Sequence, residues 1–241
     1  GKVEWFKNTG KKGKPVLAEK KPVVVNWQTD NIPKPKWTWW QPAKNELATE
    51  WRTTPFVTDW DKDGLADLVM LDHEGYLAWF KRVKDKKAGL VLQPGKRIFY
   101  LGSAASFDGN HKIISGSAGM LRLNARENGG SGRRKFTIMD WNNDGLQDLV
   151  VNSLSASVLL NRGEKNGVWH FEDTGMLGEK ILAGHDTSPT PVNWGAGGSG
   201  LWGARRGTGR RASACRASSW PSWTRAFATM RSRSASTCNI I

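Results

Sequence analysis

The sequence is poor in cysteine, in tyrosine and in long apolar stretches. Only 2 of its 241 residues are cysteine and 2 are tyrosine. Two cysteines exclude a small fold that depends on a disulfide framework. No apolar run approaches the roughly 18 residues that a membrane-spanning helix needs, so no membrane span is predicted. The N-terminus has no signal-peptide pattern, so it does not itself indicate a compartment.

The chain nevertheless has the composition of a folded protein. It contains 14 tryptophans and 27 glycines, and 38% of its residues are hydrophobic. A chain this rich in apolar and aromatic residues is expected to bury a core rather than to stay disordered. Its length suits one large domain or two small ones.

Lysine, aspartate and glutamate are missing from residues 195–241. This segment carries eight arginines, and therefore eight of the fourteen net positive charges of the chain. An arm that neutralises nucleic-acid phosphates is one interpretation. Because basic arms usually mix lysine with arginine, we favour another interpretation, a GC-rich gene translated out of frame. We therefore predict an aberrant tail at 195–241, disordered or out of frame, and no nucleic-acid partner.

A nine-residue acidic motif occurs twice in the chain. Asp59–Asp67 and Asp140–Asp148 share the pattern D-W-[DN]-x-D-G-L-x-D. Side-chain oxygens at positions 1, 3, 5 and 9 and a carbonyl oxygen at position 7 converge when the loop folds back, and such oxygen ligands suit Ca²⁺. The predicted metal ligands are Asp59, Asp61, Asp63, Leu65 and Asp67 in the first loop and Asp140, Asn142, Asp144, Leu146 and Asp148 in the second.

The two loops differ in charge. The first has four carboxylates, whereas the second has three carboxylates and Asn142. Because the number of charged ligands raises the affinity of a calcium site, the first loop is predicted to bind the ion more tightly.

The residues around the loops favour strands rather than the helices of an EF-hand. An EF-hand needs a glutamate at position 12, where both repeats have an apolar residue. Short apolar runs follow each motif and suit buried strands. Trp79 follows Asp67 at the same spacing at which Leu160 follows Asp148. We therefore expect Trp79 and Leu160 to occupy equivalent positions in the next strand of the two repeats. Four short antiparallel strands in each repeat are typical of a propeller blade.

The acidic motif and the apolar strand behind it resemble the FG-GAP or VCBS repeat of integrin-type β-propellers. The wider segment from Trp51 to Tyr76 is similar to VCBS-repeat proteins of bacterial polysaccharide-degrading systems. The resemblance covers residues 1–194 and implies an all-β fold, a β-propeller fragment of four-stranded antiparallel blades with calcium loops. It also implies an exported protein that is secreted, periplasmic or located at the cell surface.

The repeat is interrupted at both ends of the chain. Ser188–Trp194 aligns with Thr54–Trp60, but the glycine-rich segment that follows contains no carboxylate. We hypothesise a reading-frame shift at this point that replaced a third blade. At the other end, Val3–Asn8 resembles Leu77–Arg82, so the chain is expected to begin within a blade and to form an incomplete ring.

A ligand site is predicted where the innermost strands of the blades begin. Arg52 and Arg133 precede the two metal loops at the same spacing, and equivalent positions in a propeller surround one mouth of the central channel. Guanidinium groups suit carboxylate or sulfate groups, and Trp51 suits a sugar ring. The predicted ligand-binding residues are Trp51, Arg52, Arg133, Arg134 and His185, with an acidic polysaccharide as the carbohydrate partner. The alternative that Arg52 and Arg133 pair with loop carboxylates between blades remains open.

Two functions fit this pattern. One is a non-enzymatic binding or adhesion module. The other is a polysaccharide lyase, in which an arginine neutralises the uronate carboxylate and His185 or a tyrosine removes the C5 proton. Propeller folds among rhamnogalacturonan and ulvan lyases favour the second function by analogy only, so the sequence leaves open whether the chain is an enzyme.

Overall fold

The computed structural model describes residues 2–36, 38, 40–87, 89–109, 111–126, 134–153, 155–178, 188–193, 199–204 and 214–215. Regular structure in these residues consists of β-strands, with no α-helix. The strands are β1 (Glu4–Trp5), β2 (Lys21–Pro22), β3 (Phe56–Thr58), β4 (Asp67–Leu71), β5 (Leu77–Phe80), β6 (Arg82–Asp85), β7 (Gly89–Leu92), β8 (Phe99–Leu101), β9 (Ser106–Phe107), β10 (Ile113–Ser115), β11 (Gly119–Met120), β12 (Phe136–Met139), β13 (Asp148–Asn152), β14 (Ala156–Lys165), β15 (Val168–Met176), β16 (Ser188–Asn193), β17 (Ser199–Ala204) and β18 (Ala214–Cys215). The predicted all-β class is confirmed. No helix in the described part of the chain has the length and apolar character needed to cross a membrane.

The strands form sheets of two to six members. β3, β4 and β5 form one antiparallel sheet. β12, β13, β14 and β15 are antiparallel neighbours in a second sheet, which β8 and β11 extend to six strands. The remaining sheets are β1–β2, β6–β7, β9–β10 and β16–β17–β18. The described residues form no closed ring of blades, so the propeller remains a prediction.

A similar three-stranded meander surrounds each acidic loop. The first meander is β3–β4–β5, and its loop joins β3 to β4. The second meander is β12–β13–β14, and its loop joins β12 to β13. The aspartate at motif position 9 is the first residue of β4 and of β13. Both loops therefore connect strand to strand, which differs from the helix–loop–helix order of an EF-hand.

The predicted register does not hold in the third strand of the meanders. Val69 pairs with Trp79 in the first meander, whereas the equivalent Val150 pairs with Val158 in the second. The counterpart of Trp79 is therefore Val158 and not Leu160. The turn explains the difference, because five residues separate the last β4–β5 pair and only three separate the last β13–β14 pair. The prediction from sequence spacing was wrong by two residues.

One large apolar cluster joins the first meander to the second sheet. Val69 and Leu71 are buried in the same cluster as Phe99 and Leu149. Trp60, at motif position 2, is 5% exposed, and its ring lies edge-to-face on that of Phe99 with 5.0 Å between centroids. Burial of an aromatic side chain of this size contributes about 2 kcal/mol or more. The first loop is therefore anchored in the core through Trp60.

β4 is buried on both faces, which explains the uninterrupted apolar run after the first motif. Val69 and Leu71 belong to the cluster just described, whereas Leu68 and Met70 belong to a second cluster with Phe80. Successive side chains of a strand point to opposite faces. A strand covered on both sides therefore reads as a continuous hydrophobic run. The second cluster also contains Val3, Val25, Trp27 and Leu47 from the N-terminal part of the chain.

Two strands lie within the region predicted as an aberrant tail. β17 pairs antiparallel with β16 across the proposed boundary at residue 195, and β18 pairs with β17. The rest of 195–241 lies outside the described residues. The reading-frame shift is a statement about the gene and stays a hypothesis.

Candidate metal centre

Both acidic loops turn sharply at the same two positions. Lys62 and Gly64 in the first loop have φ angles of 60° and 87°, and Asn143 and Gly145 in the second have φ angles of 60° and 85°. Glycine adopts this left-handed region without steric cost, and asparagine tolerates it better than most residues. The glycine at motif position 6 therefore serves the sharp turn in both loops.

The first aspartate of each loop is folded inward by the backbone. Asp59 accepts hydrogen bonds from the amides at motif positions 5 and 6, at 3.0 and 2.9 Å. Asp140 accepts the same two bonds, at 3.1 and 2.9 Å. Each carboxylate is therefore held inside its own loop, where its negative charge adds to that of the other loop aspartates.

The aspartate at position 5 closes a smaller turn within each loop. Asp63 accepts a hydrogen bond from the Leu65 amide at 2.9 Å, and Asp144 accepts one from the Leu146 amide at 2.8 Å. A side-chain oxygen that bonds the backbone two residues later forms an Asx turn. The carbonyl oxygens of Leu65 and Leu146 are predicted metal ligands, and this role stays a prediction.

The aspartate at position 9 ties each loop to the third strand of its meander. Asp67 accepts bonds from the Trp60 and Arg82 amides at 3.1 and 2.7 Å, and from the Trp79 indole at 2.8 Å. In the second meander, Asp148 accepts bonds from two backbone amides, both at 2.7 Å. Burial raises the pKa of Asp148 above its usual value, although these amide bonds act in the opposite direction.

Three carboxylates of the first loop converge. Oxygen atoms of Asp59, Asp61 and Asp67 all lie within 4.8 Å of one another. In the part of the chain that the structure describes, no other group of three acidic, histidine or cysteine side chains meets this closely. An all-oxygen, negatively charged donor set suits a hard cation such as Ca²⁺ or Mg²⁺. The residues of the first loop therefore fit a divalent ion, with Asp63 outside the close group.

The second loop is held partly by its asparagine. The Asn142 side-chain amide donates to Asp144 at 2.8 Å, and the Asn142 oxygen accepts a bond from the Asp144 backbone amide at 3.2 Å. The first of these bonds, together with the Leu146 amide, lowers the pKa of Asp144. Asn142 thus takes part in the hydrogen bonding of the loop, and its role as a metal ligand stays a prediction.

Lys81 lies beside the first loop and was not among the predicted site residues. Its Nζ atom is 2.9 Å from an oxygen of Asp63 and also contacts the carboxylate of Asp61. These two hydrogen bonds raise the pKa of Lys81 above its usual value, and the bond from Lys81 lowers the pKa of Asp63. Lys81 comes well after the motif in the sequence, so only the pairing of β4 with β5 brings it to the loop.

Of the predicted ligand-binding residues, Trp51 and Arg52 lie together on the surface. Trp51 is 48% exposed, and the Arg52 guanidinium carbon lies 4.1 Å from the centroid of its ring. Arg52 has a φ of 64°, which is unusual for a residue other than glycine. Arg133 and His185 lie outside the described residues.

Arg134 is completely buried rather than exposed to a ligand. Its guanidinium donates to the Asn152 carbonyl at 2.6 Å and lies 2.8 Å from Nδ1 of His111. His111 in turn lies 3.0 Å from the carboxylate of Asp173 and stacks on the Phe107 ring. Burial lowers the pKa of Arg134 to about 9 and lowers the pKa of His111. We therefore leave Arg134 out of the proposed ligand surface.

A small cavity adjoins the turn between β4 and β5. Its volume is about 300 Å³, and Tyr76, Arg97, Ser106, Ser117 and Met120 are among its lining residues. The Arg97 guanidinium carbon lies 3.9 Å from the centroid of the Tyr76 ring. No sequence motif pointed to this cavity, because it combines residues from β9, β11 and the connections between strands.

Comparisons of the chain with protein-family models, with curated proteins and with solved structures find no match. The fold and the site alone therefore define the class: an all-β chain in which three aspartates lie close enough together to hold a metal ion. The resemblance to FG-GAP and VCBS repeats stays a prediction from the acidic motif.

Proposed function

We propose that the chain is a calcium-binding repeat module of a β-propeller-type protein, in which each acidic loop takes up one Ca²⁺ ion. The observation that carries the proposal is the shared set of backbone hydrogen bonds in the two loops. Positions 1, 5 and 9 accept the same bonds from the same motif positions in both copies. Two segments far apart in the chain that share both sequence and geometry support one common role.

The donor chemistry favours calcium over other divalent metals. Zinc sites usually contain histidine or cysteine, whereas both loops offer carboxylate and carbonyl oxygens, and the second also offers the amide oxygen of Asn142. Magnesium needs nearly ideal octahedral geometry, whereas calcium accepts irregular arrangements of six to eight oxygens at distances of about 2.3–2.6 Å. Export is part of the proposal, because calcium modules outside cells work at free calcium of about 10⁻⁴–10⁻³ M.

The proposed role of the ion is structural. Three carboxylates within 4.8 Å of one another repel each other, and this repulsion favours opening of the loop. A bound divalent ion would remove the repulsion and link the first residues of the loop to Asp67 at the start of β4. Because such binding occurs only in the folded chain, it adds to the free energy of unfolding.

A thermal denaturation experiment tests this role. Calcium is expected to raise the Tm of the full chain, and a chelator is expected to reverse the change. Asp59→Asn should reduce the calcium-dependent increase, because it removes a carboxylate from the converging group. Asp30→Asn, which changes an exposed aspartate outside both loops, is the matched control. An unchanged Tm over the whole calcium range would contradict the proposal.

A second part of the proposal is that the module binds an acidic carbohydrate. The exposed Trp51 ring with Arg52 stacked on it favours this partner, since an aromatic face suits a sugar and a guanidinium suits its carboxylate or sulfate. Affinity electrophoresis in polygalacturonate or heparin gels tests it. Trp51→Ala should lose retardation, whereas Trp5→Ala, which removes a similarly exposed tryptophan, should keep it. Equal retardation of both variants would contradict the role of Trp51.

The lyase alternative has weaker support. An arginine and a histidine do lie together in the described residues, but the Arg134–His111 pair is buried and is bonded to protein groups. A polymer would need an open arginine and base at its uronate. The binding module is therefore the proposal that the geometry supports better.

A further inference from the structure

One position outside the motif brings a charged side chain to the first acidic loop and an apolar one to the equivalent place in the second meander. Because Leu68 pairs with Phe80 and Leu149 pairs with Leu159, the residue after Phe80 corresponds to the residue after Leu159. Lys81 in the first meander is therefore the counterpart of Leu160 in the second. Sequence spacing hides this equivalence, since the two turns differ by two residues.

The Lys81 ammonium group forms ion pairs with two of the first-loop carboxylates. Its Nζ atom contacts Asp61, and it lies 2.9 Å from Asp63. The three side chains are 27%, 27% and 31% exposed, so water screens their charges only in part. At the equivalent position of the second loop, Leu160 is an uncharged side chain packed beside an apolar cluster.

The contact with Asp61 bears directly on metal binding. Asp61 belongs to the converging group with Asp59 and Asp67, so the ammonium group and a cation would use the same carboxylate. A divalent cation at this site is repelled by the ammonium charge, and its entry requires Lys81 to give up at least part of its bonding. The Lys81 charge thus offsets one of the four carboxylate charges of the first loop, and the three that remain equal the number of carboxylates in the second loop.

We propose that Lys81 is an internal competitor for the cation of the first loop and lowers the calcium affinity of that loop. This inference rests on the proposed calcium function and adds a determinant that lies outside the motif. It also replaces the expectation that the first loop binds more tightly because it has more carboxylates. With Lys81 in place, the extra carboxylate, Asp61, takes part in an internal ion pair, which offsets part of the repulsion among the loop carboxylates when no metal is bound.

The first arm of the test measures calcium binding by the first loop alone. Calcium titration calorimetry is carried out on the full chain with the second loop disabled by Asp140→Asn and Asp144→Asn. In this background, Lys81→Met is expected to tighten calcium binding about tenfold, because one positive charge near a divalent ion is removed. Lys81→Arg keeps the charge and should bind calcium as weakly as the parent chain. Lys62→Met, which removes an exposed lysine within the first loop, should have a smaller effect than Lys81→Met.

The second arm moves the lysine to the other loop. With the first loop disabled by Asp59→Asn and Asp61→Asn, Leu160→Lys is expected to weaken calcium binding by the second loop about tenfold. Leu160→Met is the control for the loss of leucine packing. Circular dichroism spectra of all variants confirm that each chain is folded.

The outcomes separate the inference from the proposed function. Tighter binding by Lys81→Met and weaker binding by Leu160→Lys would support the inference. Calcium binding that does not change with the charge at residues 81 and 160 would overturn the inference and leave the calcium function intact. A chain in which no variant binds calcium would overturn the proposed function, and the inference with it.

Discussion

The first and second meanders carry the same acidic loop but surround it with different neighbours. In the first, Lys81 pairs with the loop, and the longer β4–β5 turn packs on buried groups. A Cβ atom at Gly75 in this turn would lie 2.0 Å from the carbonyl oxygen of Asn124 and 2.8 Å from the carboxylate of Glu50. In the second, the turn is two residues shorter. The comparison shows that the shared motif gives both loops the same hydrogen-bonded geometry, whereas residues outside it, such as Lys81, add contacts and charges that differ between the two meanders.

The largest expected effect concerns Glu50, beneath the longer turn. Burial raises the pKa of Glu50 to about 8, with Asp72 acting in the same direction and Asn124 and Arg122 acting against it. The folded chain binds the Glu50 proton more tightly than the unfolded chain does, so protonation of Glu50 adds to the free energy of unfolding. This contribution is fully present below the usual pKa of 4.5 and is lost as the pH rises through about 8. Between pH 5 and pH 8 the stability of the parent should fall by about 3 kcal/mol relative to Glu50→Gln.

Urea denaturation across this pH range measures the difference between the two chains. Glu19→Gln removes an exposed glutamate and serves as the control, whose stability should stay parallel to that of the parent. Subtracting the profile of Glu50→Gln removes the contribution of other titrating groups, including His111. Parallel profiles for the parent and Glu50→Gln would show that Glu50 does not titrate as described.

The next effect compares the aspartates at position 9. Asp67 accepts three hydrogen bonds, one of them from the Trp79 indole, whereas Asp148 accepts two backbone bonds. Asp67→Asn should therefore lower the free energy of unfolding by about 2 kcal/mol and Asp148→Asn by about 1 kcal/mol. Chemical denaturation of the two variants measures both values. The same two substitutions are then made in a chain that carries Trp79→Phe, which lacks the indole bond. If Asp67→Asn still costs about 1 kcal/mol more than Asp148→Asn in that chain, the explanation by the indole bond is wrong.

The smallest effect should be the same in both loops. Gly64 and Gly145 have φ angles of 87° and 85°, and a Cβ atom at either would meet no neighbouring atom within 4 Å. Alanine at either position should therefore cost about 1 kcal/mol through backbone strain alone. Gly102→Ala is the control, because that glycine also has open space but lies outside the left-handed region. Unequal losses at Gly64 and Gly145 would show that the two loops do not share one geometry.

The spacing of the oxygen-bearing residues in the motif predicted a loop that folds back on itself, and the residues around it predicted its position between strands. This was possible because the left-handed turn and the Asx turn depend on residues that lie within the motif itself. The apolar run after each motif predicted β4 and β13 for the same local reason.

The neighbours of the loops could not be predicted in this way. The position of Lys81 depends on the length of the β4–β5 turn, which sets the register of β5, and the spacing of Trp79 and Leu160 gave the wrong register. Arg134 looked like a ligand-binding residue because it follows Arg133 near a loop. Its burial depends on His111 and Asn152, which come from other parts of the sequence.

Counting the calcium ions bound to the full chain is the most direct test of the account. Equilibrium dialysis at about 1 mM free calcium, in the range of extracellular sites, should give two ions for the parent chain. Asp59→Asn and Asp140→Asn should each lose one ion, and the double variant should lose both. A parent chain that binds no calcium, or variants that bind as much as the parent, would contradict the assignment of the two loops as calcium sites.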